Sequence, residues 1–446
     1  MKRMLVLLLL YAPCLYSQNA ADRKRLASEI EYSMKKELLD PWYPQSVDQQ
    51  YGGFLSTYSF DFKPTGAQDK MIVTQARHVW SNSKAALLYP DIQHYKTGAA
   101  HGFRFLRDKM WDHEHRGFYT LVSRDGTVKG EPSKTAYGNA FGIYALAAYY
   151  AMSKDTGALS LAKIAFLWLE KNSHDPVYKG YFQHLSRNGE PQKRSESTPS
   201  TSDLGYKDQN SSIHLLEAFT ELYMEWPDSL LRERLQEMLL LIRDTITTEK
   251  GYLTLFLTHD WKPVSFRGSS KAVILKHRNL DHVSFGHDIE TAYLMLEASH
   301  VLGLKEDTTT LRIAKKMVDH ALSNGWDNKN AGLFDEGYYF SKQPKATIIK
   351  NSKNWWAQAE ALNTLLLMSR RFPNDTMQYF KKFKHLWQYA KTYLIDHKYG
   401  DWYVAGLDTS PQSKTAFKGH LWKATYHQFR ALANCWQQLN QQQKLH

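Results

Sequence analysis

A short turn recurs along this chain at intervals of about 65 to 80 residues. In each copy a glycine precedes an aromatic residue, a leucine or, in the last copy, Asp-Trp. They are Gly53-Phe54, Gly117-Phe118, Gly180-Tyr181, Gly251-Tyr252, Gly332-Leu333 and Gly400-Asp401-Trp402. A polar loop and then an apolar helical stretch follow each turn, so the period is that of a repeated supersecondary unit. The repeat predicts a single domain, although 446 residues would by length alone suggest two or three.

Hydrophobic periodicity predicts two alternating kinds of helix. One kind is amphipathic and rich in charge, with a wet face that places it outside: 22–38, 91–109, 156–171, 228–245, 306–322 and 375–392. The other kind is apolar nearly all round, which places it inside: 70–88, 136–152, 210–225, 288–302, 353–370 and 421–437. Six hairpins of this kind predict an all-α fold, a single (α/α)6 barrel of six outer and six inner helices over residues 18–446.

The connections between these helices differ in length. Each inner helix leads to the next outer one through a few residues, whereas each outer helix leads to the next inner one through a long loop that holds the glycine turn. Long loops on one face of a rigid scaffold are where functional sites are usually built. The loops at 186–209 and 257–280 are therefore candidate lids.

The first residues have the pattern of a secretory signal peptide. Lys2-Arg3 precede an apolar run, and the small residue Ser17 offers a cleavage point. We expect a leader over residues 1–17 and export, with a periplasmic location. A membrane anchor is the competing interpretation, but the apolar run is too short to span a bilayer.

Composition narrows the function classes. Cys435 is the one cysteine after the leader, so neither a disulfide nor a cysteine-based zinc site is expected. The formal charge of +12 is dispersed along the chain, without the pattern of a nucleic-acid module. The 13 Trp, 27 Tyr and 20 Phe are more than a helical core needs and suit a pocket that stacks on sugar rings. We expect a monomer with a small-molecule partner, no nucleic acid and no integral membrane segment.

The first turns of the predicted inner helices carry unusual polar and aromatic side chains. If the helices ring one axis, these side chains converge on one pocket: Arg77, Tyr137, His214, His287 with Glu290, Trp355-Trp356 with Glu360, and His427. Imidazole both accepts and donates protons near neutral pH, so three histidines favour isomerisation. Sugar hydrolysis would need two dominant carboxylates instead.

Structural interpretations of the same residues stand beside the chemical one. His214 and Glu217 share a helix face, so a buried histidine satisfied by a neighbouring carboxylate is the plainer interpretation of that pair. The tryptophan pair at 355 and 356 also suits core packing. Two His-x-x-Glu spacings raise the question of a metal, but bundle di-iron sites use the reverse order, and we predict no metal site.

Several runs resemble the N-acylglucosamine 2-epimerase superfamily, specifically its cellobiose 2-epimerase branch. They extend over about residues 50 to 430: Gln75 to Trp80, Ala136 to Phe141, Asn210 to Ala218, His282 to Glu290, Trp355 to Glu360 and Trp422 to His427. Gly286-His287-Asp288-Ile289-Glu290 and the Trp-Lys-x-x-Tyr-His run that ends at His427 are the specific ones.

The resemblance implies reversible epimerisation at C2 of a reducing-end aldose, most simply in cellobiose or mannobiose, without a cofactor. It assigns ring opening to His287, C2 proton transfer to His214 and His427, and stabilisation of the oxyanion to Arg77. It also assigns the orientation of His287 to Glu290, and sugar binding to Tyr137, Asn210, Trp355, Trp356, Glu360 and Trp422. The alternatives are an aldose–ketose isomerase, an N-acylglucosamine 2-epimerase, a glycoside hydrolase and a non-catalytic sugar-binding barrel.

Overall fold

The computed structural model describes the backbone of residues 7–130, 132–305, 307–340 and 343–440, with side chains from residue 20 onward. The predicted leader, residues 1–17, lies outside the residues whose side chains are described. Within the described ranges, no helix is both long enough and apolar enough to cross a bilayer.

Helices dominate the described chain. In order they are α1 (Leu7–Tyr32), α2 (Asp40–Trp42), α3 (Ile72–Leu88), α4 (Gln93–Phe105), α5 (Ala136–Ser153), α6 (Thr156–Asn172), α7 (Gln209–Glu225), α8 (Ser229–Leu241), α9 (Lys271–Asp281), α10 (Phe285–Val301), α11 (Thr308–Asn324), α12 (Trp355–Arg371), α13 (Tyr379–Tyr389) and α14 (Tyr426–Asn440). Four outer helices continue as π-helix: Ser33–Leu39 after α1, Leu106–Met110 after α4, Ile242–Ile246 after α8 and Ala390–Leu394 after α13.

The inner helices form a closed ring. Helices α3, α5, α7, α10, α12 and α14 each contact the next, and α14 returns against α3. Outside the ring, α4, α6, α8, α11 and α13 pack against the inner helix that precedes them, and α1 packs against α14. Almost every residue of α5 is buried, as expected of a helix with no wet face. The predicted (α/α)6 barrel is confirmed.

Among the differences from the sequence-based expectation, two concern the long loops. The last inner helix begins at Tyr426 rather than at residue 421, because His420 and Lys423 pair in a tight turn just before it and Lys423 is bonded to the buried Asp401. Trp422 therefore lies in a turn and not on the helix. The predicted loop at 257–280 also contains most of a helix, α9, whose Ser270 cap accepts a hydrogen bond from Val273 N.

Short strands, which the all-helical prediction omitted, join the long loops. They are β1 (Lys70–Met71), β2 (Leu121–Val122), β3 (Lys134–Thr135), β4 (His184–Leu185), β5 (Lys207–Asp208), β6 (Phe256–Leu257), β7 (Val283–Ser284), β8 (Glu336–Tyr338) and β9 (Thr347–Lys350). Antiparallel pairs β1–β2, β3–β4, β5–β6 and β7–β8 each link the entry of one inner helix to the loop of the next repeat, and β9 extends β8. The loops are thereby held to one end of the ring.

The repeated glycine turns are confirmed and have a common attachment. All six glycines have positive φ, which at Gly117, with φ of 73°, brings the turn close to the Trp168 ring. In several repeats the fourth residue of the next inner helix accepts a hydrogen bond from the backbone N–H that follows the glycine, as Asn139 does from Phe118 at 2.8 Å. Gln75 and Gln358 do the same in their repeats, and Asp288 accepts from Leu253 N, two residues after Gly251. These four turns are thus bonded to the helices that carry the site.

A buried ion pair accompanies five of the turns. An aspartate that caps the turn bonds the ammonium of a lysine from the following loop: Asp48–Lys70, Asp112–Lys134, Asp175–Lys207, Asp327–Lys353 and Asp396–Lys418. The five lysine side chains are at most 1% exposed. Thr248 occupies the aspartate position of the fourth turn.

Candidate active site

One cavity of about 180 Å³ opens at the end of the barrel where the inner helices begin. Ten of the eleven side chains predicted for the site line it: Arg77, Tyr137, Asn210, His214, His287, Glu290, Trp355, Trp356, Trp422 and His427. Apart from Trp422, each lies within the first six residues of an inner helix. The structure therefore brings together residues from six repeats.

Helix orientation gives this cavity a favourable field for negative charge. A helix N-terminus carries a partial positive charge and unpaired N–H groups. Six inner helices begin around the cavity, so their fields add where the side chains converge. An anionic intermediate formed there would be stabilised without any rearrangement of the protein.

His214 is held by a carboxylate from its own helix. Its Nδ1 lies 2.8 Å from Oε2 of Glu217, and both side chains are almost fully buried. Oε1 of Glu217 accepts hydrogen bonds from the Tyr426 hydroxyl and the Arg430 guanidinium. Burial would raise the pKa of Glu217, but Arg430 and His214 outweigh burial and lower it to about 2. The ionised Glu217 leaves Nε2 of His214 free to accept a proton.

His427 is held in the same way from a different helix. Its Nδ1 lies 2.7 Å from Oε1 of Glu360 on α12 and 3.7 Å from Oε1 of Glu290 on α10. Burial, with Arg77 and Arg430 nearby, lowers the pKa of His427 well below its ordinary value. Glu360 was predicted to bind the sugar, but it is fully buried behind His427, so the structure places it as a partner of the imidazole.

His287 has a hydroxyl partner rather than a carboxylate. Its Nδ1 lies 2.7 Å from Oγ of Ser284, the residue that precedes α10, and its ring lies 4.6 Å from that of Trp356. Burial lowers the pKa of His287 to about 3, with a smaller contribution from His214. The expected contact between Glu290 and His287 is absent from the described hydrogen bonds, because Glu290 instead accepts from Arg430 at 2.6 Å.

Arg430 is the central residue that sequence reasoning missed. Its guanidinium bonds Glu217, Glu290 and Glu360, which come from three different inner helices. It also donates to the Tyr426 hydroxyl at 2.6 Å. Arg430 lies one turn after His427 on a helix that was predicted to be an inner one. A charged residue at a buried helix position was therefore the signal available in the sequence.

Arg77 lines the cavity from α3, the helix next to α14 in the ring. It donates to the carbonyl of Trp422 at 2.7 Å and to the Tyr137 hydroxyl at 3.3 Å, and it stacks over Phe141 and Tyr426. Trp422 thus contributes its backbone to the site, while its ring, 49% exposed, lies at the mouth. Arg77 retains further N–H donors for an anionic oxygen in the cavity.

Glu290, Glu360 and His427 form the one group of potential metal ligands found among the described residues. The Arg430 guanidinium already bonds Oε1 of both carboxylates. A metal ion there would lie against a buried positive charge. The donor set therefore fits an internal ion-pair network better than a metal.

The arrangement is suited to proton transfer on a small molecule. His214 and His427 come from non-adjacent helices of the ring, α7 and α14, and both have their Nδ1 engaged below the cavity. Two bases on different walls can reach two faces of one carbon. Arg77 and the helix termini can stabilise the anion between the two transfers.

Comparisons with known proteins identify the family. The profile of the N-acylglucosamine 2-epimerase (GlcNAc 2-epimerase) family matches residues 52–431. The chain is similar to a cellobiose 2-epimerase of Dictyoglomus turgidum, with 27% identity over 421 residues, 92% of this chain and 97% of that protein. It is also similar to a D-mannose isomerase of Marinomonas mediterranea, with 24% identity over 390 residues, 86% of this chain and 91% of that protein.

A solved structure gives the same result. The cellobiose 2-epimerase of Spirochaeta thermophila superposes with a TM-score of 0.79 at 28% identity, covering 94% of this chain and 98% of that one. The resemblance inferred from the sequence motifs is thereby confirmed. The chain belongs to the N-acylglucosamine 2-epimerase family and is an epimerase, a kind of isomerase.

Proposed function

We propose that this epimerase interconverts the C2 epimers of the reducing-end sugar of a β-1,4-linked disaccharide, through ring opening and a cis-enediolate. One observation carries the proposal: two imidazoles from non-adjacent inner helices, each held through Nδ1 by a carboxylate, line the same small cavity as a third imidazole. Similarity to cellobiose 2-epimerases over most of the chain supports the substrate class.

His287 performs the ring opening. A low pKa keeps its imidazole neutral, so it can take the proton of the anomeric hydroxyl and return it to the ring oxygen. Ser284 fixes the ring through Nδ1. The free aldehyde then acidifies the proton on C2.

His214 and His427 exchange the C2 proton. One takes it, rotation about the C2–C3 bond presents the other face, and the second returns a proton. Arg77 and the six helix N-termini stabilise the enediolate oxygen meanwhile. Because the electron pair passes between C2 and the carbonyl, the reaction needs no redox cofactor.

The size of the cavity fits one sugar ring. About 180 Å³ is below the roughly 300–1,000 Å³ of sites for drug-sized ligands, so the second sugar lies towards the mouth. There the half-exposed Trp422 offers a ring face on which a sugar can stack. This arrangement favours a disaccharide bound by its reducing end.

Aldose–ketose isomerisation is the second candidate, because a D-mannose isomerase is among the relatives. It uses the same enediolate but returns the proton to C1. One base is enough for that transfer, whereas the present cavity has two that come from opposite parts of the ring. The pair of bases favours epimerisation.

Proton NMR in deuterated water tests the proposal. The protein is incubated separately with cellobiose, mannobiose and N-acetylglucosamine, and the C2 proton is followed. We expect deuterium at C2 together with a new epimer for one disaccharide, and a loss of about 100- to 10,000-fold in His214→Asn or His427→Asn. His113→Asn, at an exposed histidine away from the cavity, is the matched control.

The products decide between the candidates. Deuterium at C1 of a ketose would establish the isomerase, and an N-acylmannosamine product would move the substrate class to N-acyl sugars. Absence of exchange with all three sugars would overturn the proposal and favour a binding or hydrolytic role.

A further inference from the structure

We propose that Glu360 stores the proton that His427 delivers to C2, so that His214 starts one direction of the reaction as the base and His427 as the acid. Glu360 acts through His427 and is thus a positioning residue that also holds a proton. This inference rests on the proposed epimerisation and adds an order to its two bases.

Both carboxylate oxygens of Glu217 are saturated with hydrogen-bond donors. Its Oε2 accepts from His214, and its Oε1 accepts from both Tyr426 and Arg430. A carboxylate that receives three hydrogen bonds is held in its charged form. The imidazole of His214 must then donate Nδ1–H to Glu217, which leaves the lone pair on Nε2 as a ready base.

Glu360 lies in a contrasting environment. Its Oε1 accepts from Arg430 at 2.7 Å and faces Nδ1 of His427 at 2.7 Å, while its Oε2 is buried with no partner among the described residues. An anionic oxygen without a partner is costly in the interior. A proton on Oε1 removes that cost and is donated to Nδ1 of His427, which places the imidazole proton on Nε2.

The charge balance around Arg430 supports the same assignment. Three carboxylates, on Glu217, Glu290 and Glu360, face one guanidinium, and all four side chains are at most 4% exposed. Carboxylates crowded in this way do not all ionise. Burial is the largest effect on the pKa of Glu360; together with Glu290 and Glu217, and against the opposing effect of Arg430, it raises that pKa to about 8.

The other groups that face the pair come from neighbouring helices. His214 on α7, His287 on α10 and Arg77 on α3 all disfavour a charged His427. Tyr426 and Cys435 on α14 are uncharged at neutral pH, because burial raises both pKa values. Glu290 on α10 is the other carboxyl near Nδ1 of His427, but it lies 3.7 Å away, against 2.7 Å for Glu360. Glu360 is therefore the described group best placed to supply a proton to His427.

The proton transfers balance. Nε2 of His214 takes the C2 proton, and the electron pair of that bond forms the enediolate. His427 then gives its Nε2 proton to the other face of C2, while its Nδ1 receives the proton of Glu360. His214 ends as an imidazolium, Glu360 as a carboxylate bonded to Arg430, and His427 as a base. That state is the one required for the reverse direction.

Glu360→Gln provides the test, because glutamine keeps the shape and a hydrogen bond to Nδ1 but holds no mobile proton. Both epimers of the active disaccharide are incubated with the variant in deuterated water. We expect epimerisation to fall at least about 100-fold, while C2 exchange with solvent stays within about tenfold of wild type for one epimer only. Glu217→Gln, the matched change behind His214, should favour exchange of the opposite epimer.

The outcomes separate the two proposals. If exchange of both epimers falls equally in Glu360→Gln, the residue is structural and the inference is wrong. If the wild type exchanges neither epimer, the proposed function itself is wrong.

If Glu360→Gln does not fold, a measurement on the wild type tests the inference. As pH rises through about 8, loss of the stored proton should lower epimerisation while C2 exchange continues. Rates that fall in parallel would overturn the inference.

Discussion

The three histidines of the site differ in the group that faces their Nδ1 atom. His214 has a saturated carboxylate, His427 has a carboxyl with one free oxygen, and His287 has a serine hydroxyl. In the proposed mechanism, these partners prepare the three imidazoles for different proton transfers.

Acid should destabilise the folded protein through His287. Its folded pKa of about 3 lies below the ordinary value of 6.5, so between these values the unfolded chain binds more protons and stability is lost as pH falls. Between pH 7.0 and 5.5 we expect the wild type to lose about 1 kcal/mol more free energy of unfolding than His287→Gln. Urea unfolding at the two pH values measures the difference.

The control for this prediction is His113→Gln, at an exposed histidine. It should lose as much stability as the wild type over the same pH interval. An equal loss in His287→Gln would contradict the prediction and show that the imidazole is not held neutral.

Sequence reasoning identified which residues meet but not always what each one contacts. Trp422 was expected within the last inner helix, 421–437, but it lies in a turn, where its carbonyl accepts a hydrogen bond from Arg77. Glu290 was expected to orient His287, but it accepts a hydrogen bond from Arg430 instead. Motifs indicate which side chains converge, whereas the choice of partner depends on distances among several helices.

At the scale of elements, the repeated Asp–Lys pair attaches five of the six turns to the loop before the next inner helix. Asp175 caps its turn through Oδ1, which accepts from Val177 N and Tyr178 N, and bonds Lys207 through Oδ2 at 2.8 Å. The ammonium also donates to the carbonyl of Lys179. Lys207 thus holds together two segments of chain that precede α7, the helix that carries His214.

Lys207→Met should be strongly destabilising, because it leaves Asp175 buried without its partner. We expect a loss of about 3–5 kcal/mol in the free energy of unfolding. The double variant Asp175→Asn/Lys207→Met should lose less than the sum of the two single variants, since Asn keeps the Oδ1 cap and no charge remains unpaired. Urea unfolding checks the cycle.

An exposed lysine on α6 provides the control for this cycle. Lys171→Met should change stability by at most about 0.5 kcal/mol. Additive losses in the Asp175 and Lys207 cycle would mean that the ion pair contributes no coupling.

The Asp–Lys pairs also had a signal in the sequence. In several repeats the lysine follows the turn aspartate by 22 residues, a spacing that the prediction from the glycine turns did not use.

The whole molecule is a closed ring, and its seam lies between α3 and α14. There the Thr425 hydroxyl lies 2.9 Å from that of Ser81 and 3.0 Å from that of Tyr43, which also reaches Nδ1 of His78 at 2.8 Å. Residues more than 340 positions apart thus form one buried polar cluster. In an open array of repeats the terminal units would have no such contact.

Ring closure predicts that α3 and α14 open together. Hydrogen–deuterium exchange followed by mass spectrometry should show similar protection of their backbone amides, and Thr425→Val should lower both together. Earlier exchange of α14 in the wild type would indicate an open array that frays from its end. Helix α8, which packs against α7 on the side of the ring away from the seam, is the internal reference.

Fold and family could be inferred from the sequence because their signals are local. The glycine turns, the apolar inner helices and the motif runs each lie within a few neighbouring residues, and helical periodicity depends only on such neighbours. The predicted leader at 1–17 and the export it implies stay predictions, as do the site roles. The monomeric state is likewise a prediction.

Tertiary structure alone decided the partners of the histidines. Glu217 and Arg430 are 213 residues apart, and Glu360 and His427 are 67 residues apart, yet each pair is in contact. Burial and crowding of charge act through space, so the residue type does not reveal which carboxyl each imidazole meets or in which direction its pKa shifts. The sequence thus determined the barrel and the residues that converge, and ring closure decided which groups those residues contact.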